Sequence, residues 1–499
     1  MDSIRFILNG EELETTADAT ILEAAREAGV DIPTLCYLKG INRIASCRMC
    51  VVEVKGAKGP LPACVTAVTE GMEICTESDA LFETRHRTLE LICSEHRFDC
   101  EYCERYSECE LHALMRIYSV DEHRLEYGEN LREADRDISA VHLVRDRSKC
   151  VQCRRCVNTC EKAQGIEAIA VLGRGPLTRI GPAMTLDADG CVHCGQCVAN
   201  CPTGALVERD ETRVVWRAIM GKDTYVAAVV SPFAASAFSR SLLYPDGDPR
   251  PGKFTAALRR MGFDAVYDGR AGLLLSAGEL AQRLRRAADT VYSWACPSYE
   301  LLCETKYPAL MPEDGSPTEN FARKCRDAAM ANGKTVYMVS IVPCTAEKRA
   351  VYTGGADAAL TVNEVADMFR RACVSRFTAR GVWQWLPEER FDTLPGWGNE
   401  MPDAPAGGGI LEAAIRILTD GHFRFGPADT YGVSEAGYIQ DGQVRKAALV
   451  TGLGNAGRLL DKLNADEVRY DAVEVMACPG GCSAGGGLPR RHAKELNFG

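Results

Sequence analysis

One cysteine pattern occurs twice between residues 150 and 202 and strongly limits the possible folds of the chain. Each copy has the spacing C-x2-C-x2-C-x3-C, and a proline follows the last cysteine of the second copy. Thiolates at this spacing hold pairs of [4Fe–4S] clusters, and the fourth cysteine of each run binds the cluster of the other run. The sequence therefore predicts two electron-transfer sites, formed by Cys150, Cys153, Cys156 and Cys201, and by Cys191, Cys194, Cys197 and Cys160.

The total cysteine content also favours metal ligation over disulfide bonds. The chain has 24 cysteines in 499 residues, and many of them lie in C-x2-C clusters. Disulfide frameworks are typical of much shorter secreted chains. Zinc also accepts four cysteines, but zinc ribbons use two separated pairs, whereas here four cysteines fall within eleven residues. Iron is therefore the favoured metal, and a reduced cytoplasmic compartment is the expected location.

Length, charge and hydropathy limit the organisation and the partners of the protein. A chain of 499 residues is long enough for about three or four domains. The net charge of -11 argues against nucleic acid or anionic membranes as main partners. No run of 18 apolar residues is present, so no membrane span is predicted. Met1 leads directly into the strand-like segment Ile4–Leu8, so we expect no signal peptide.

A compact, strand-rich unit with its own cysteine set is predicted at the N-terminus. Two strands joined at Asn9-Gly10 precede a helix over Ala19–Ala28, which begins after Thr20. Four cysteines follow with 10, 2 and 13 residues between them, namely Cys36, Cys47, Cys50 and Cys64. Four thiolates in a loop beside a small sheet suit a [2Fe–2S] cluster.

A further set combines one histidine with three cysteines. His96 alone would be interpreted as an ordinary histidine, but the cysteines that follow it favour ligation of another [4Fe–4S] cluster. A neutral imidazole in place of a thiolate makes such a site less negative and raises its reduction potential. The predicted ligands are His96, Cys100, Cys103 and Cys109.

The remaining chain, from residue 220 onward, predicts an α/β domain with largely parallel sheets. Apolar strand candidates alternate with helical ones. The strands are Tyr225–Val230, Thr335–Ile341 and Val473–Met476, and the helices are Gly278–Ala287, Ile410–Leu418 and Gly457–Leu463. A glycine pattern at Gly452, Gly454 and Gly457 imitates a dinucleotide-binding turn, but a lone match carries little weight.

Several single residues are interpreted as structural. Cysteines without partner spacing are expected to be small buried apolar residues, and three glutamates are expected to be solvated. The cysteines are Cys75, Cys93, Cys303, Cys325 and Cys373, and the glutamates are Glu279, Glu412 and Glu474.

Three phrases in the α/β region resemble the signatures of the [FeFe]-hydrogenase catalytic domain. They are WACPSY around Cys296, VPCTAEK around Cys344, and EVMACPGGCSAGGG around Cys478 and Cys482. The N-terminal motifs also resemble those of this family and of the large iron–sulfur subunit of complex I, in the same order. The resemblance covers nearly the whole chain. The fold, the cofactors and the activity of the family are therefore expectations for this protein.

The resemblance implies a multidomain α+β and α/β fold. It implies a β-grasp [2Fe–2S] domain over 1–80, a His/three-Cys cluster domain over 81–138, a two-cluster ferredoxin-like domain over 139–212, and a hydrogenase-like domain over 213–499. It further implies one [2Fe–2S] and four [4Fe–4S] clusters, the last of H-cluster type. By motif matching, its ligands are Cys296, Cys344, Cys478 and Cys482, with Cys482 bridging to a two-iron subsite.

Two departures from the family pattern leave hydrogen turnover open. The family's proton-transfer cysteine is Ala295 here, and alanine cannot carry a proton. The lysine of the second phrase is replaced by Glu347, while Lys348 stands one position later and is predicted to point elsewhere. An acceptor beside an anionic subsite should weaken its binding. No catalytic residue is assigned.

Three interpretations therefore remain. In the first, electrons pass along the clusters to an H-cluster-like site that interconverts hydrogen and protons. In the second, the same site senses hydrogen and turns over slowly. In the third, the C-terminal domain binds only a [4Fe–4S] cluster and carries electrons within a larger NAD(P)- or ferredoxin-linked oxidoreductase. The resemblance implies a flavin- and NAD(P)-binding partner subunit or ferredoxin as electron partner, and hence a hetero-oligomer.

Overall fold

The computed structural model describes residues 3–121, 136–241, 250–293, 296–312, 317–330, 334–373, 376–394, 409–429 and 432–489. Its architecture is a mixed α/β, multidomain one. Ala295, at which the proton-transfer cysteine of the family is replaced, lies outside the described residues.

A five-stranded sheet forms the N-terminal module, with the order β2-β1-β5-β3-β4. Its elements are β1 (Ser3–Leu8), β2 (Glu11–Thr16), α1 (Ile21–Glu27), β3 (Val51–Val54), β4 (Leu61–Pro62) and β5 (Glu73–Cys75). The predicted hairpin and helix are confirmed, and Thr20 caps α1 in a reciprocal bond pattern with Glu23. Phe6, Ile21 and Ile74 belong to the core between sheet and helix.

Two helices follow and pack against the preceding cysteine loop. They are α2 (Asp79–Cys93) and α3 (Glu110–Ile117). Their apolar residues Leu89 and Leu111 share one cluster with Cys36 of the first loop and Cys153 of the next module. This cluster therefore joins three cysteine-bearing regions in a single core.

The ferredoxin-type region consists of short elements around its two cysteine runs. They are β6 (Arg136–Asp137), β7 (Leu143–Asp146), α4 (Arg155–Asn158), β8 (Ala170–Leu172), β9 (Arg179–Gly181), α5 (Gln196–Asn200) and β10 (Leu206–Glu208). A π-helical turn over Thr159–Ala163 continues α4 and carries Cys160. The sheets have the orders β10-β7-β6 and β8-β9.

The first of two C-terminal sheets is entirely parallel, with the order β12-β11-β14-β15. Its strands are β11 (Thr224–Val230), β12 (Ala265–Asp268), β14 (Thr335–Val342) and β15 (Ala358–Thr361). Associated helices are α6 (Thr212–Ile219), α7 (Ala234–Ser241), α8 (Pro251–Met261), α11 (Pro317–Ala329), α12 (Val362–Ala372) and α13 (Arg376–Trp385). Phe238, Phe254 and Phe369 belong to the core of this half.

The second sheet has the order β13-β18-β17-β16 and is parallel except for the β16–β17 hairpin. Its strands are β13 (Val291–Ser293), β16 (Val433–Gln440), β17 (Gln443–Thr451) and β18 (Ala472–Met476). Its helices are α9 (Arg270–Arg286), α10 (Pro297–Lys306), α14 (Leu411–Leu418) and α15 (Leu453–Asn464). The predicted strands are confirmed, and the largely parallel arrangement is divided between two sheets.

Two predicted helix starts are wrong. The helix expected to begin at Gly457 begins at Leu453. The helix expected to begin at Gly278 begins at Arg270 and continues through this glycine. Glycine in a helix costs about 1 kcal/mol relative to alanine, but Ala277, Leu280 and Leu284 bury their side chains in the adjacent core. Packing of that face therefore outweighs the local preference.

The glycine-rich turn at the start of α15 serves packing between modules. A Cβ at Gly454 would lie 3.0 Å from the carbonyl oxygen of Ala163 and 3.1 Å from that of Lys162. This turn packs against the ferredoxin-type region. The close contact explains why Gly454 is a glycine, and no nucleotide is needed to explain it. Among the described residues, no helix has both the length and the hydropathy to cross a bilayer.

Candidate iron–sulfur centres

The first cysteine set forms one buried cluster of thiols in the N-terminal loop. Cys36 is hydrogen-bonded to Cys47, and Cys50 to Cys64. The two pairs also lie near each other, since the charges of Cys36 and Cys47 both act to raise the pKa of Cys64. The hydrogen bond from Cys36 lowers the pKa of Cys47 to about 6, although burial opposes the change. Four thiols packed this closely suit a shared cation.

The backbone of the same loop is shaped to receive an anionic group. Ala45 and Arg48 have φ of 50° and 57°, in the left-handed region. Alternation of left- and right-handed residues turns successive N–H groups toward one point, which is the geometry of many anion and iron–sulfur sites. The loop therefore fits the charge of a thiolate-bound cluster as well as its ligands.

His96 has the state that a metal ligand requires. Burial, with Lys149 nearby, lowers the pKa of His96 to about 4, so its imidazole is neutral. Its Nδ1 atom is buried and has no hydrogen-bond partner among the described residues. A neutral ring nitrogen that is buried beside cysteines and has no hydrogen-bond partner fits the role of a metal ligand.

The cysteines that follow His96 lie against the ferredoxin-type region. Cys103 shares its charged neighbours, Lys149 and Asp99, with His96. A Cβ at Gly204 would lie 2.6 Å from Cys103 Sγ, so this glycine is required for close approach. Cys109 caps α3 by accepting a bond from the backbone of the first helical turn, and Cys100 begins a short 3-10 turn.

The two cysteine runs are interleaved in space. One cavity is lined by Cys150, Cys153, Cys156 and Cys201. The other is lined by Cys160, Cys191, Cys194 and Cys197. Burial and the neighbouring thiols raise the pKa of Cys156 and Cys197 well above its ordinary value. A cation is therefore needed to hold these groups as thiolates.

Corresponding residues in the two runs have the same unusual backbone conformation. Gln152 and Arg154 have φ of 52° and 61°, and His193 and Gly195 have φ of 57° and 71°. Each run thus directs N–H groups toward its cavity in the same way. Gln152 and His193 thus contribute to these loops through their backbone conformation.

The C-terminal cysteines come from three distant segments. Cys296 precedes α10, Cys344 follows β14, and Cys478 and Cys482 follow β18. Burial raises the pKa of Cys344, and Glu347, Cys478, Cys482 and Cys296 raise it further. The four thiols are therefore close enough for their charges to act on one another, as a shared cluster requires.

The C-terminal set is joined directly to the ferredoxin-type region. Gln196 of α5 donates from Nε2 to Cys478 Sγ at 3.2 Å and to the Ala484 carbonyl oxygen at 2.8 Å. Gly486 packs against the backbone of Gly195, where a Cβ would lie 2.4 Å from a carbonyl carbon. The two cysteine sites are thus adjacent, with Gln196 between them.

Glu347 and Lys348 point in different directions. Glu347 is 9% exposed and is the leading neighbouring charge that raises the pKa of Cys344 and Cys482. Lys348 is 0% exposed, and its Nζ donates to the Ala359 carbonyl oxygen at 2.7 Å and lies 2.8 Å from Glu364. The predicted direction of Lys348 is confirmed, because a fixed ion pair holds it away from the cysteines.

The expectation that three glutamates are solvated is wrong for two of them. Glu474 lies on a strand, is 1% exposed, and accepts bonds from the Ser293 hydroxyl and the Ile410 backbone. Glu412 is buried on α14 and pairs with Arg416. Glu279 is exposed as expected. Periodicity could not reveal the burial, because the contacts come from distant segments.

The cysteines without partner spacing divide into two groups. Cys93, Cys303 and Cys325 are fully buried, as predicted. Cys75 and Cys373 are only half-buried. Cys75 donates from its Sγ to the Glu77 carbonyl oxygen, which uses its thiol locally.

Sequence reasoning did not find the polar residues that connect the cysteine sites. Asn42 is buried and donates to the carbonyl oxygens of Cys36 and Cys153, at 2.6 and 2.9 Å. Arg155 is buried beside Cys153 and Cys36 and pairs with Glu110 at 2.7 Å. The position of Arg155 inside a cysteine run was the only sequence signal for it.

Comparison with known proteins gives a consistent result over the whole chain. The family described as "Iron only hydrogenase large subunit, C-terminal domain" matches residues 224–486. Residues 1–79 match a 2Fe-2S iron-sulfur cluster binding domain. Residues 85–124 match the NADH-ubiquinone oxidoreductase-G iron-sulfur binding region, and residues 149–205 match a 4Fe-4S dicluster domain.

Individual relatives agree with these families. The NADP-reducing hydrogenase subunit HndD of Solidesulfovibrio fructosivorans is 33% identical over 538 residues, which cover 99% of this chain and 90% of that protein. Iron hydrogenase 1 of Clostridium pasteurianum is 29% identical over 98% of this chain and 89% of its own length. The NADH-ubiquinone oxidoreductase 75 kDa subunit of Reclinomonas americana is 30% identical, over 41% of this chain and 29% of that protein.

These findings join the cysteine geometry to a family. The N-terminal modules are iron–sulfur domains of the 2Fe-2S and 4Fe-4S types. The remaining half is a hydrogenase-type domain. The protein is an iron–sulfur oxidoreductase, and the chain belongs to the iron-only, or [FeFe]-, hydrogenase family.

Proposed function

We propose that this protein passes electrons along a series of clusters to an H-cluster-like site on its C-terminal domain, where hydrogen and protons are interconverted. The observation that carries the proposal is the bond from Gln196 to Cys478, at 3.2 Å. It joins a ferredoxin-type site to the C-terminal cysteines with no intervening element. An electron held at the ferredoxin-type site is therefore next to the site of the C-terminal cysteines.

The proposal includes four domains, over 1–80, 81–138, 139–212 and 213–499, with a β-grasp, a His/three-Cys, a ferredoxin-like and a hydrogenase-like fold. The matched families lie within or close to these limits. It also assigns a [2Fe–2S] cluster to Cys36, Cys47, Cys50 and Cys64. The [4Fe–4S] sets are His96, Cys100, Cys103 and Cys109; Cys150, Cys153, Cys156 and Cys201; Cys191, Cys194, Cys197 and Cys160; and Cys296, Cys344, Cys478 and Cys482. The clusters, when bound, supply the one-electron chemistry.

Contacts between the cysteine sets support two routes that converge. Asn42 joins the Cys36 loop to Cys153 through two backbone carbonyl groups. On the other side, buried Arg105 lies beside both Cys103 and Cys201. The His96 set and the Cys36 set therefore both adjoin the site of Cys150, Cys153, Cys156 and Cys201. The protein's own residues fix these separations and exclude water from them.

A second function is favoured by Glu347. In this alternative the C-terminal domain binds a [4Fe–4S] cluster alone and serves as an electron carrier. A buried carboxyl group that faces Cys344 and Cys482 disfavours an additional anionic subsite. Lys348 does not compensate, because Glu364 and Ala359 hold its ammonium group. A hydrogen sensor is the intermediate case, in which the subsite is bound but turnover is slow.

The proposed assembly is a hetero-oligomer. HndD is named as a subunit of an NADP-reducing hydrogenase, and this chain covers 90% of its length. By analogy we propose a flavin- and NAD(P)-binding partner subunit, with ferredoxin as the alternative electron partner. We also propose a cytoplasmic location.

Infrared spectroscopy of the anaerobically purified and matured protein tests the proposal. Carbon monoxide and cyanide bands appear only if the two-iron subsite is present. The iron content should then be about 20 atoms per chain, against about 18 without that subsite. Bands with rapid hydrogen evolution support the hydrogenase, and bands with slow evolution support the sensor. Absence of bands with about 18 irons supports the carrier, whereas zinc in place of iron would overturn all three.

A further inference from the structure

Two histidines outside the proposed ligand sets form a layer beside one ferredoxin-type site. His142 is 1% exposed, and its ring stacks on that of His193, with centroids 4.0 Å apart and planes inclined by 20°. Nε2 of His142 lies 3.7 Å from Cys191 Sγ. Nε2 of His193 lies 2.8 Å from Asp187 Oδ1. Only the His142 side chain is directed at a thiol in this pair of contacts.

The proton on His142 can be assigned from its surroundings. A neutral imidazole has one N–H donor and one acceptor nitrogen. Nδ1 of His142 is buried and has no hydrogen-bond partner among the described residues. With the proton on Nδ1, a buried donor would lack an acceptor and a lone pair would face the thiolate of Cys191. The Nε2–H tautomer avoids both costs and donates to Cys191 Sγ.

A metal ion is a second use for such a group. His142, Asp187 and His193 offer ligand atoms that all lie within 4.8 Å of one another. However, two imidazoles that bind one ion direct their nitrogens at a common point, whereas these rings lie nearly parallel face to face. Nε2 of His142 is, moreover, already directed at Cys191 Sγ. The geometry favours a hydrogen bond to sulfur.

We propose that His142 is a positioning residue that donates a hydrogen bond to Cys191 and raises the reduction potential of the cluster on Cys160, Cys191, Cys194 and Cys197. The inference rests on the ligand set proposed above. One-electron reduction adds a negative charge that the thiolates share. An N–H donor stabilises the reduced form more than the oxidised form, and hydrogen bonds to sulfur are an established determinant of cluster potential.

The position of this cluster gives the bond a functional consequence. Gln196, two residues after Cys194, connects the same loop to Cys478. The cluster is therefore the relay next to the C-terminal site. A higher potential makes it retain an electron longer and lowers the driving force for passing that electron to Cys478 and its neighbours.

The test is a dithionite titration of the full chain with all clusters, followed by electron paramagnetic resonance. In His142→Leu, which removes the donor, the oxidised-to-reduced ratio of one cubane should rise about tenfold at the wild-type midpoint, which is 59 mV for a one-electron couple. In His142→Gln, whose amide can still donate, the ratio should change less than threefold. The other cubanes should titrate unchanged in both variants.

The outcomes separate this inference from the proposed function. If the wild-type chain contained no iron and gave no cubane signals, the proposed ligand sets themselves would be overturned. Full iron content with an unchanged titration in His142→Leu would overturn only the role of His142. A stoichiometric metal other than iron that disappears in this variant would also overturn it, in favour of a separate metal site.

A measurement on the wild-type protein covers the case in which His142→Leu does not assemble. Chain labelled with 15N-histidine should show, by electron spin echo spectroscopy of the reduced state, a weak nitrogen coupling in addition to the stronger one from the His96 ligand. A single class of histidine nitrogen would contradict the proposal.

Discussion

The N-terminal and C-terminal cysteine sites differ in the charges that surround them. Buried cations flank the N-terminal sites: Lys149 pairs with Asp99 at 2.8 Å, and Arg155 pairs with Glu110 at 2.7 Å. Around the C-terminal quartet, the buried neighbours are instead Glu347 and Glu474. Both regions concentrate thiols, but the buried charges named here have opposite signs in the two regions.

This difference indicates what each region can hold. A cluster with four thiolate ligands is anionic, and adjacent cations offset part of its charge. Carboxyl groups act in the opposite direction and raise the pKa of Cys344 and Cys482. The C-terminal site must therefore obtain its stability from the metal itself, and additional anionic groups are disfavoured there.

The largest expected effect is loss of the C-terminal cluster. Cys344→Ala removes one of four ligands, and the iron content should fall by about four atoms, or about six if a two-iron subsite is lost with it. The matched control is Cys325→Ala, a fully buried cysteine outside all the sets, which should retain its iron. The iron content is measured by elemental analysis. Full iron content in Cys344→Ala would contradict a C-terminal cluster that depends on this cysteine.

A smaller effect is expected when the cationic environment is broken. Arg155→Met leaves Glu110 without its buried partner and should lower the free energy of unfolding by about 3–5 kcal/mol. The measurement is anaerobic guanidinium titration followed by cluster absorbance. The control is Arg87→Met, which breaks an exposed pair with Glu83. It should change the free energy of unfolding by less than about 0.5 kcal/mol. Equal effects of the two substitutions would show that buried cations have no special role.

The connection between the first two cysteine regions is expected to contribute less. Asn42→Leu leaves the buried carbonyl groups of Cys36 and Cys153 without this donor and should cost about 1–3 kcal/mol in the same titration. Asn464→Leu, at an exposed position at the end of α15, serves as the control with a change under about 0.5 kcal/mol. If Asn42→Leu left the free energy of unfolding unchanged, the bridging role of Asn42 would be contradicted.

The smallest effect concerns Glu347 and directly sharpens the comparison. Glu347→Gln should lower the pKa of Cys344 and Cys482, because the charge that raises it is removed. Because metal binding needs the thiolates, C-terminal cluster occupancy under limiting iron should rise. Stronger carbon monoxide and cyanide bands in the infrared spectrum would accompany this change. Unchanged occupancy and bands would show that Glu347 does not limit the site.

Much of the fold could be predicted because its signals are local. The hairpin that turns at Asn9-Gly10, the cap at Thr20 and the apolar strands β11, β14 and β18 all depend on residues close in sequence. The start of α9 was missed because distant core contacts, and not local preference, decide whether a helix continues through Gly278. The burial of Glu474 was missed for the same reason, since its partners Ser293 and Ile410 are distant in the chain.

Cysteine spacing alone predicted the N-terminal and ferredoxin-type ligand sets, because thiolates that share a cluster within one loop must be spaced to reach it. The sequence also identified the family, through phrases that surround the C-terminal cysteines. The charges that face each set could be known only from the fold, since Lys348 turns toward Glu364 while Glu347 turns toward Cys344. The fold alone brought His142 to Cys191 and Gln196 to Cys478. Electrostatic surroundings depend on distance in space, and the order of residues does not specify that distance.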